Sequence, residues 1–204
     1  MRLRPSANTD AARLLLLSLV ILAFALRLYQ LDYQSLWRDE VDAILFARRE
    51  LTGIFPLFVV PGHNGPLYYT ILHFWIRLAG DSEFAARFFS LICGVIAVPL
   101  IFKLGEWWIG LRGSRLAALL CATSPYLIWY SQETKMYGLL FLLSMLSTHV
   151  YLLALDRNRI YHWLFYLASV VVSMYVHLLA VLIIPFHILL FLVTWPRYRQ
   201  AVKP

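Results

Sequence analysis

Charge is in short supply in this chain. Asp, Glu, Lys and Arg together make up 14% of 204 residues, and only 11 are acidic. Soluble domains carry about 25%, so a fully water-exposed surface is excluded. Cysteine is scarcer still: Cys93 and Cys121 are the whole complement. Both lie in apolar runs, where a free Cys packs as a small hydrophobe, which excludes a disulfide scaffold or a Cys-rich metal framework. No segment repeats at a fixed period and none is of low complexity, so the chain is one domain, residues 1–204. A net charge of +7 raises the question of nucleic acid. The basic residues stand singly or in pairs at the ends of apolar runs, without the continuous basic face that tracks phosphates, so nucleic acid is not a partner.

What is present is lipid-compatible surface. Apolar residues reach 61% and the mean hydropathy is +0.70, which places the chain among all-α, multi-pass membrane proteins. Apolar runs cover Ala11–Leu31, Glu83–Leu104, Ser114–Tyr130, Met136–Leu155 and Ile160–Trp195. The first has a basic flank like a signal peptide, but it is about 20 residues long and lacks a small-residue cleavage site, so it is expected to span. The last, as one helix, would be about 54 Å long against a hydrocarbon core of about 30 Å. It must turn, and Ser173–His177 is the expected place. The mixed segment 32–81 is expected to hold two short helices, Asp39–Leu51 and Pro66–Ala79.

Lys and Arg decide on which side Pro66–Ala79 leaves the chain. If it lies in the interface, Arg2, Arg4, Arg13, Lys103, Arg112, Arg115, Arg157, Arg159, Arg197, Arg199 and Lys203 fall on one side, eleven of the 18. If it spans, the two sides receive nine each. The positive-inside bias selects the interfacial arrangement. It gives a bundle of about six spans with both termini cytoplasmic, in the cell membrane. The outer face then gathers residues 32–81, Tyr130–Lys135 and the turn near His177.

Those outer segments carry the polar residues. In YQSLWRDEVD, Asp39 and Asp42 are three apart and share a helix face, while Glu40 points about 100° away. Acids in a first helical turn also suit the helix dipole, so either a structural or a catalytic role serves for them taken alone. Leu36 and Trp37 draw the segment toward the membrane surface, where a carboxylate becomes a candidate base or metal ligand. PGHNGP projects His63 and Asn64 from a turn. YSQETKMY sets Glu133 and Lys135 between two spans, and SMYVHLL places His177 at the expected turn. His73, His149, His162 and His187 have no polar company and receive no role.

The ordered set SLWRDE, HNGPLYY, GDSEFAARF, SPYLIWYSQETKMY and MYVHLLAVL resembles the amino-terminal half of GT-C glycosyltransferases of the dolichyl- or polyprenyl-phosphate-mannose-protein mannosyltransferase type. It looks most like the bacterial branch of lipopolysaccharide core sugar and aminoarabinose transferases. The resemblance runs from about Arg27 to Ile184. It implies a membrane enzyme moving a sugar, with inversion, from a polyprenyl-phosphate donor to a lipid, glycan or protein acceptor at the outer face, among membrane lipid. Asp39 is then the implied catalytic acid with Glu40 as its companion. Lys135, where the family has Arg, meets phosphate together with Arg87 or Arg38. Gln132, Glu133 and Tyr137 complete a substrate-binding motif, and Tyr68, Tyr69, Trp75 and Tyr130 stack on sugar or line a lipid groove. His63 with His177 or Glu133 is the implied ligand set for a divalent metal ion. Family members are much longer, so the competing expectation is a non-catalytic fragment, a pseudoenzyme, or a scaffold or transport subunit. A transporter places ionisable groups at mid-span, whereas the acids here avoid span centres.

Overall fold

The structure is a computed structural model and describes residues 9–60 and 62–201. Of the residues weighed above, Arg2, Arg4, Pro61 and Lys203 lie outside these, as do the side chains of Arg197 and Arg199. The described chain is helical, with no strand among its residues. Helix α1 (Thr9–Leu28) is followed by two short helices, α2 (Arg38–Ala47) and α3 (Leu51–Ile54), and a 3-10 turn at Phe55–Phe58. Then come α4 (Pro66–Ala79), α5 (Glu83–Trp108), α6 (Gly110–Thr123), α7 (Pro125–Ser131), α8 (Tyr137–Arg157), α9 (Ile160–Val176) and α10 (Ile183–Ala201).

Four stretches are long and apolar enough to cross a bilayer: Ala11–Leu28, Glu83–Trp108, Tyr137–Arg157 and Leu178–Trp195; Ile160–Val176 is a shorter apolar helix. The chain is thus a polytopic helical membrane protein. The turn expected near Ser173–His177 falls at His177, whose extended backbone (φ −158°, ψ 131°) separates α9 from the 3-10 turn Leu178–Leu182. Helix α4 keeps its expected bounds because both ends are encoded locally. Gly65 at φ +79° turns the chain into Pro66 at the first helical position, and Gly80 at φ +88° ends it.

The expected single span Ser114–Tyr130 is corrected. It is two helices, because Pro125 has no N–H to continue the ladder and pushes Ser124 out of the helical region (φ −61°, ψ 118°). Ser124 instead caps α7, its Oγ accepting from Leu127 N–H.

Helix α5 is the hub, packing against α1, α4, α6, α7 and α8. Its small residues allow that approach. A Cβ built on Gly94 would press on the Ser131 hydroxyl, and would stand 2.9 Å from Ser131 Cβ and 3.0 Å from Arg27 Nε. Gly94→Ala is therefore expected to cost about 1–3 kcal/mol by overpacking, read as a lower midpoint of thermal unfolding in detergent. Ser131→Ala in the same chain should recover part of the loss, and no loss in the single variant would refute the close approach. A buried apolar cluster of Ala43, Ala47, Tyr68, Leu72, Cys93, Met136, Leu139 and Val176 joins α2, α4, α5, α8 and α9 beneath residues 32–81. This packing fixes the height at which α2 sits over the spans.

Candidate active site

Three neighbouring residues of α2 face three environments. Glu40 is fully buried, Asp39 keeps 49% of its side chain exposed, and Asp42 is exposed. Glu40 reaches α5, where Arg87 Nε donates to Oε1 at 2.9 Å and Nη2 to Oε2 at 2.7 Å, a two-pronged pair. Thr134 N–H donates to Oε1 (2.8 Å) and Trp37 N–H to Oε2 (3.3 Å). Burial alone would push the Glu40 carboxyl up, but Arg87 and the two backbone donors hold it below the usual carboxylate range. The remaining Arg87 N–H groups go to the carbonyls of Leu31, Gln34 and Ser35. All five guanidinium donors are thereby committed. Glu40 and Arg87 thus form a buried clamp that ties residues 31–40 to α5 and to Thr134.

Asp39 points elsewhere. Lys135 Nζ approaches Asp39 Oδ2 at 3.9 Å, and the lysine side chain is 11% exposed. On the α4 side, burial and then the charges of Asp39 and Asp42 push the Tyr69 hydroxyl up. Between Asp39 and Glu40 the sequence order thus alternates a solvent-accessible carboxylate with a structural one.

A cavity of about 700 Å³ opens between residues 29–37 and residues 128–137, with Glu40, Arg87 and Glu133 in its wall. Glu133 is buried; its Oε1 accepts from Trp129 Nε1 at 2.6 Å and its Oε2 has no partner. Burial pushes the Glu133 carboxyl up, the Trp129 hydrogen bond opposes this, and the Glu40 charge adds to the rise. Gln132 lines the same cavity while its Nε2 donates to the carbonyls of Arg27 (3.0 Å) and Tyr29 (2.8 Å).

Arg27 was not singled out by the sequence reasoning, and it is the largest fully buried side chain among the described residues. Its guanidinium donates to Cys121 O (3.0 Å), Ala122 O (2.9 Å), Ala23 O (3.3 Å) and Ser131 Oγ (3.2 Å). Cys121 O is the acceptor that the missing N–H of Pro125 leaves vacant, so Arg27 mends the α6–α7 break and sets the start of the Gln132–Lys135 segment. An arginine inside the apolar run Ala11–Leu31 was the readable signal. His187, also given no role, is a buried packing group: its ring nitrogens lie 3.1 Å from Thr148 Oγ1 and 3.0 Å from Tyr166 Oη, and its ring stacks on Tyr151.

The remaining expected site residues divide. Tyr68, expected to stack on sugar or line a lipid groove, is fully buried in the apolar cluster and lines neither the large cavity nor a second one of about 390 Å³. Trp75 donates its indole N–H to Ala85 O (2.7 Å) and ties α4 to α5. Tyr137 and Tyr130 do line the large cavity, with ring centroids 4.9 Å apart. His63 is exposed and lines a second, mainly apolar cavity of about 390 Å³ with Tyr175 and Leu178. Its neighbour Asn64 accepts from Leu178 N–H (3.0 Å), so residues 62–65 do meet the turn after α9. His177 Nδ1 accepts from Leu179 N–H (3.1 Å), and its ring lies 6.1 Å from Tyr137. Among the described residues, no three or more His, Cys, Asp or Glu side chains gather into a group able to hold a metal ion. Of the implied pairs of ligands, His63 lines the second cavity and Glu133 the first.

The model of the dolichyl-phosphate-mannose-protein mannosyltransferase family matches residues 63–204. The chain belongs to this family. It is accordingly a membrane glycosyltransferase-family protein of the GT-C type. No curated protein and no solved structure matches the chain. The family match takes in α4 to α10, and with them His63, the Gln132–Lys135 segment and His177. Asp39 and Glu40 precede the match, but the fold carries them to it through Lys135 and Thr134.

Proposed function

We propose that this mannosyltransferase-family protein transfers a sugar from a polyprenyl-phosphate donor, with inversion, using Asp39 as base and Lys135 as the phosphate-binding cation. The observation that carries this reading is the division of labour in α2. Glu40 is buried and clamped, whereas Asp39 stands half-exposed 3.9 Å from a lysine that has little access of its own. In the proposed step, an acceptor hydroxyl oxygen forms a bond to the anomeric carbon and its proton passes to Asp39. The bond from that carbon to the phosphate oxygen breaks, its electron pair leaves with the phosphate, and Lys135 stabilises the charge that develops. Lysine does this as a point charge, without the bidentate fork of the family's arginine. Arg87 acts in this scheme through Glu40, holding α2 in place, and is not itself a phosphate ligand. The acceptor is a lipid, glycan or protein, and the bacterial lipopolysaccharide-type branch remains the favoured relative on the sequence motifs.

The proposed site faces outward, in a cell membrane with cytoplasmic termini. One contact supports the interfacial placement of α4. Arg48, at the end of α2, pairs with Asp81, beyond the end of α4, with Nε donating at 2.9 Å. Residues 48 and 81 therefore sit at one level, as an α4 lying in the interface would place them.

The test is direct. The chain, reconstituted with a radiolabelled polyprenyl-phosphate sugar and an envelope acceptor pool, is expected to transfer label; a chain that transfers none is a non-catalytic family member. For the orientation, a cysteine at exposed Tyr33 should react with an impermeant thiol reagent from outside the cell, and one at exposed Arg112 should not. Native Cys93 and Cys121 are buried and give little background. Labelling at Arg112 but not Tyr33 would reverse the orientation, and labelling of both would mean that α4 crosses.

A further inference from the structure

The apolar surface of this protein does not end with its long helices. Residues 54–60, IFPLFVV, form an unbroken apolar stretch between charged Arg48, Arg49 and Glu50 and polar His63 and Asn64. Ile54 is buried, but Val59 is 82% and Phe55 53% exposed, and Val60 is exposed as well. A contiguous exposed patch of large apolar residues marks an interaction site. Its place in the fold says what covers it. The rings of Phe55 and Phe58 lie 6.4 Å apart, and Phe58 lies 5.3 Å from Tyr175, near the end of α9. Residues 57–60 share the walls of the second cavity with Val171, Met174, Tyr175 and Leu178. Val171, Tyr175 and Leu178 are themselves exposed, so the tip and the outward side of α9 form one apolar surface.

Depth follows from length. Val176, at the end of α9, shares a buried cluster with Met136 and Leu139 at the start of α8, and the turn at Asn158 joins the other ends of the two helices. They thus run antiparallel side by side, and α8 is long enough to cross a bilayer. The 17 residues of α9 rise about 26 Å, less than a hydrocarbon core of about 30 Å. Exposed Arg157 and Arg159 hold the start of α9 at one boundary. Its last turns therefore end inside the hydrocarbon, and so do the residues packed beside them.

We propose that residues 55–60 insert among lipid acyl chains at the end of α9 and anchor the segment between α3 and α4 to the bilayer. The insertion fills the shortfall that a short α9 leaves. The backbone suits the place. Pro56 has no N–H, and those of Phe55 and Val59 donate to Leu51 O and Pro56 O, as hydrocarbon requires. Beyond the tip, Asn64 accepts from Leu178 N–H at the same end of α9. The lipid anchor and this bond together hold the approach to α4. The contact reaches deeper than the two interfacial helices expected from the sequence, Asp39–Leu51 and Pro66–Ala79, because it carries the residues between them below the interface. It depends neither on the transferase reading nor on which leaflet this end of α9 faces.

Val59→Cys, labelled with the fluorophore NBD on the full chain in phosphatidylcholine nanodiscs, tests this. Because residue 59 is exposed, the label does not threaten the fold, and buried Cys93 and Cys121 add little background. Emission is expected to lie to the blue of the same label at Glu50→Cys, on the polar flank. Doxyl-labelled phosphatidylcholine should quench the label at residue 59, and aqueous iodide should not. Iodide quenching as strong as at residue 50 would put the tip in water and overturn the proposal. A label shielded from both quenchers would overturn it too, since a second copy or another protein would then cover the patch. Phe55→Asp with Val59→Asp, read by the same label at Val60→Cys, supplies a second check. Two carboxylates should draw the tip out, with loss of lipid quenching and a gain of iodide quenching. Lipid quenching unchanged in that variant would mean that the apolar side chains do not hold the tip in place, and the proposal would fall.

Discussion

Asp39→Asn is expected to lower sugar transfer by on the order of 10²–10⁴-fold, the usual worth of a positioned general base, while leaving the fold intact. The substitution is isosteric and keeps a hydrogen-bonding amide opposite Lys135, but it removes the group that can take the acceptor's proton. Half of the Asp39 side chain is exposed and its partner stands at 3.9 Å, so the stability change should stay within about 0.5 kcal/mol, as for ordinary surface positions. The pairing of a large rate loss with an unchanged unfolding midpoint is the diagnostic result. Lys135→Ala should also reduce transfer, and Lys135→Arg should preserve it, since arginine carries the same charge and adds a fork that fits phosphate. An Asp39→Asn protein that transfers at the parent rate would remove Asp39 from the chemistry. One that loses activity and stability together would make it a structural residue instead.

The helices and their apolar character were legible in the sequence because each is written in consecutive residues. Pro66–Ala79 came out to the residue, framed by Gly65, Pro66 and Gly80, and the turn in the long carboxy-terminal run came out at His177. The meeting of residues 32–81, 130–135 and 177 was anticipated from Lys and Arg alone, and the contacts Glu40–Thr134, Asp39–Lys135 and Asn64–Leu178 bear out that these segments converge. What was not legible depends on partners distant in the chain. Nothing around Tyr68 says that its ring turns into the core of α2, α4 and α5; only the packing of five helices decides that. The division between Asp39 and Glu40 likewise needs Arg87, 47 residues away. The break at Ser124 had a readable cause in Pro125, and it was passed over because the apolar run continues through it. Its repair by Arg27, from another helix, could only be seen in three dimensions.

That dependence on a distant partner makes the clamp the point of greatest expected sensitivity. Arg87→Ala or Glu40→Ala is expected to cost about 3–5 kcal/mol, because each leaves a buried charge without its counter-charge. Arg87 would face a wall of carbonyls, and Glu40 would keep only the Thr134 and Trp37 N–H groups. Replacing both together, Glu40→Gln with Arg87→Met, should cost less than the sum of those two substitutions made singly, since the double variant buries no unpaired charge. The pH dependence has a definite sign. The Glu40 carboxyl is held below its ordinary value in the folded state, so its contribution to stability is fully present above the unfolded-state value, about 4.3. It is lost as pH falls from there through the lower folded-state value. Thermal unfolding of the parent in detergent should thus show an acid-side loss across that window, and the double variant should lack this component. Because the clamp sets the height of α2, the single variants should also lose transfer by displacing Asp39 from Lys135, even under conditions where they remain folded. If Arg87→Ala kept both its stability and its transfer rate, the pair would be a surface ornament, contrary to the burial of 6% and 0% side-chain exposure that the two groups show.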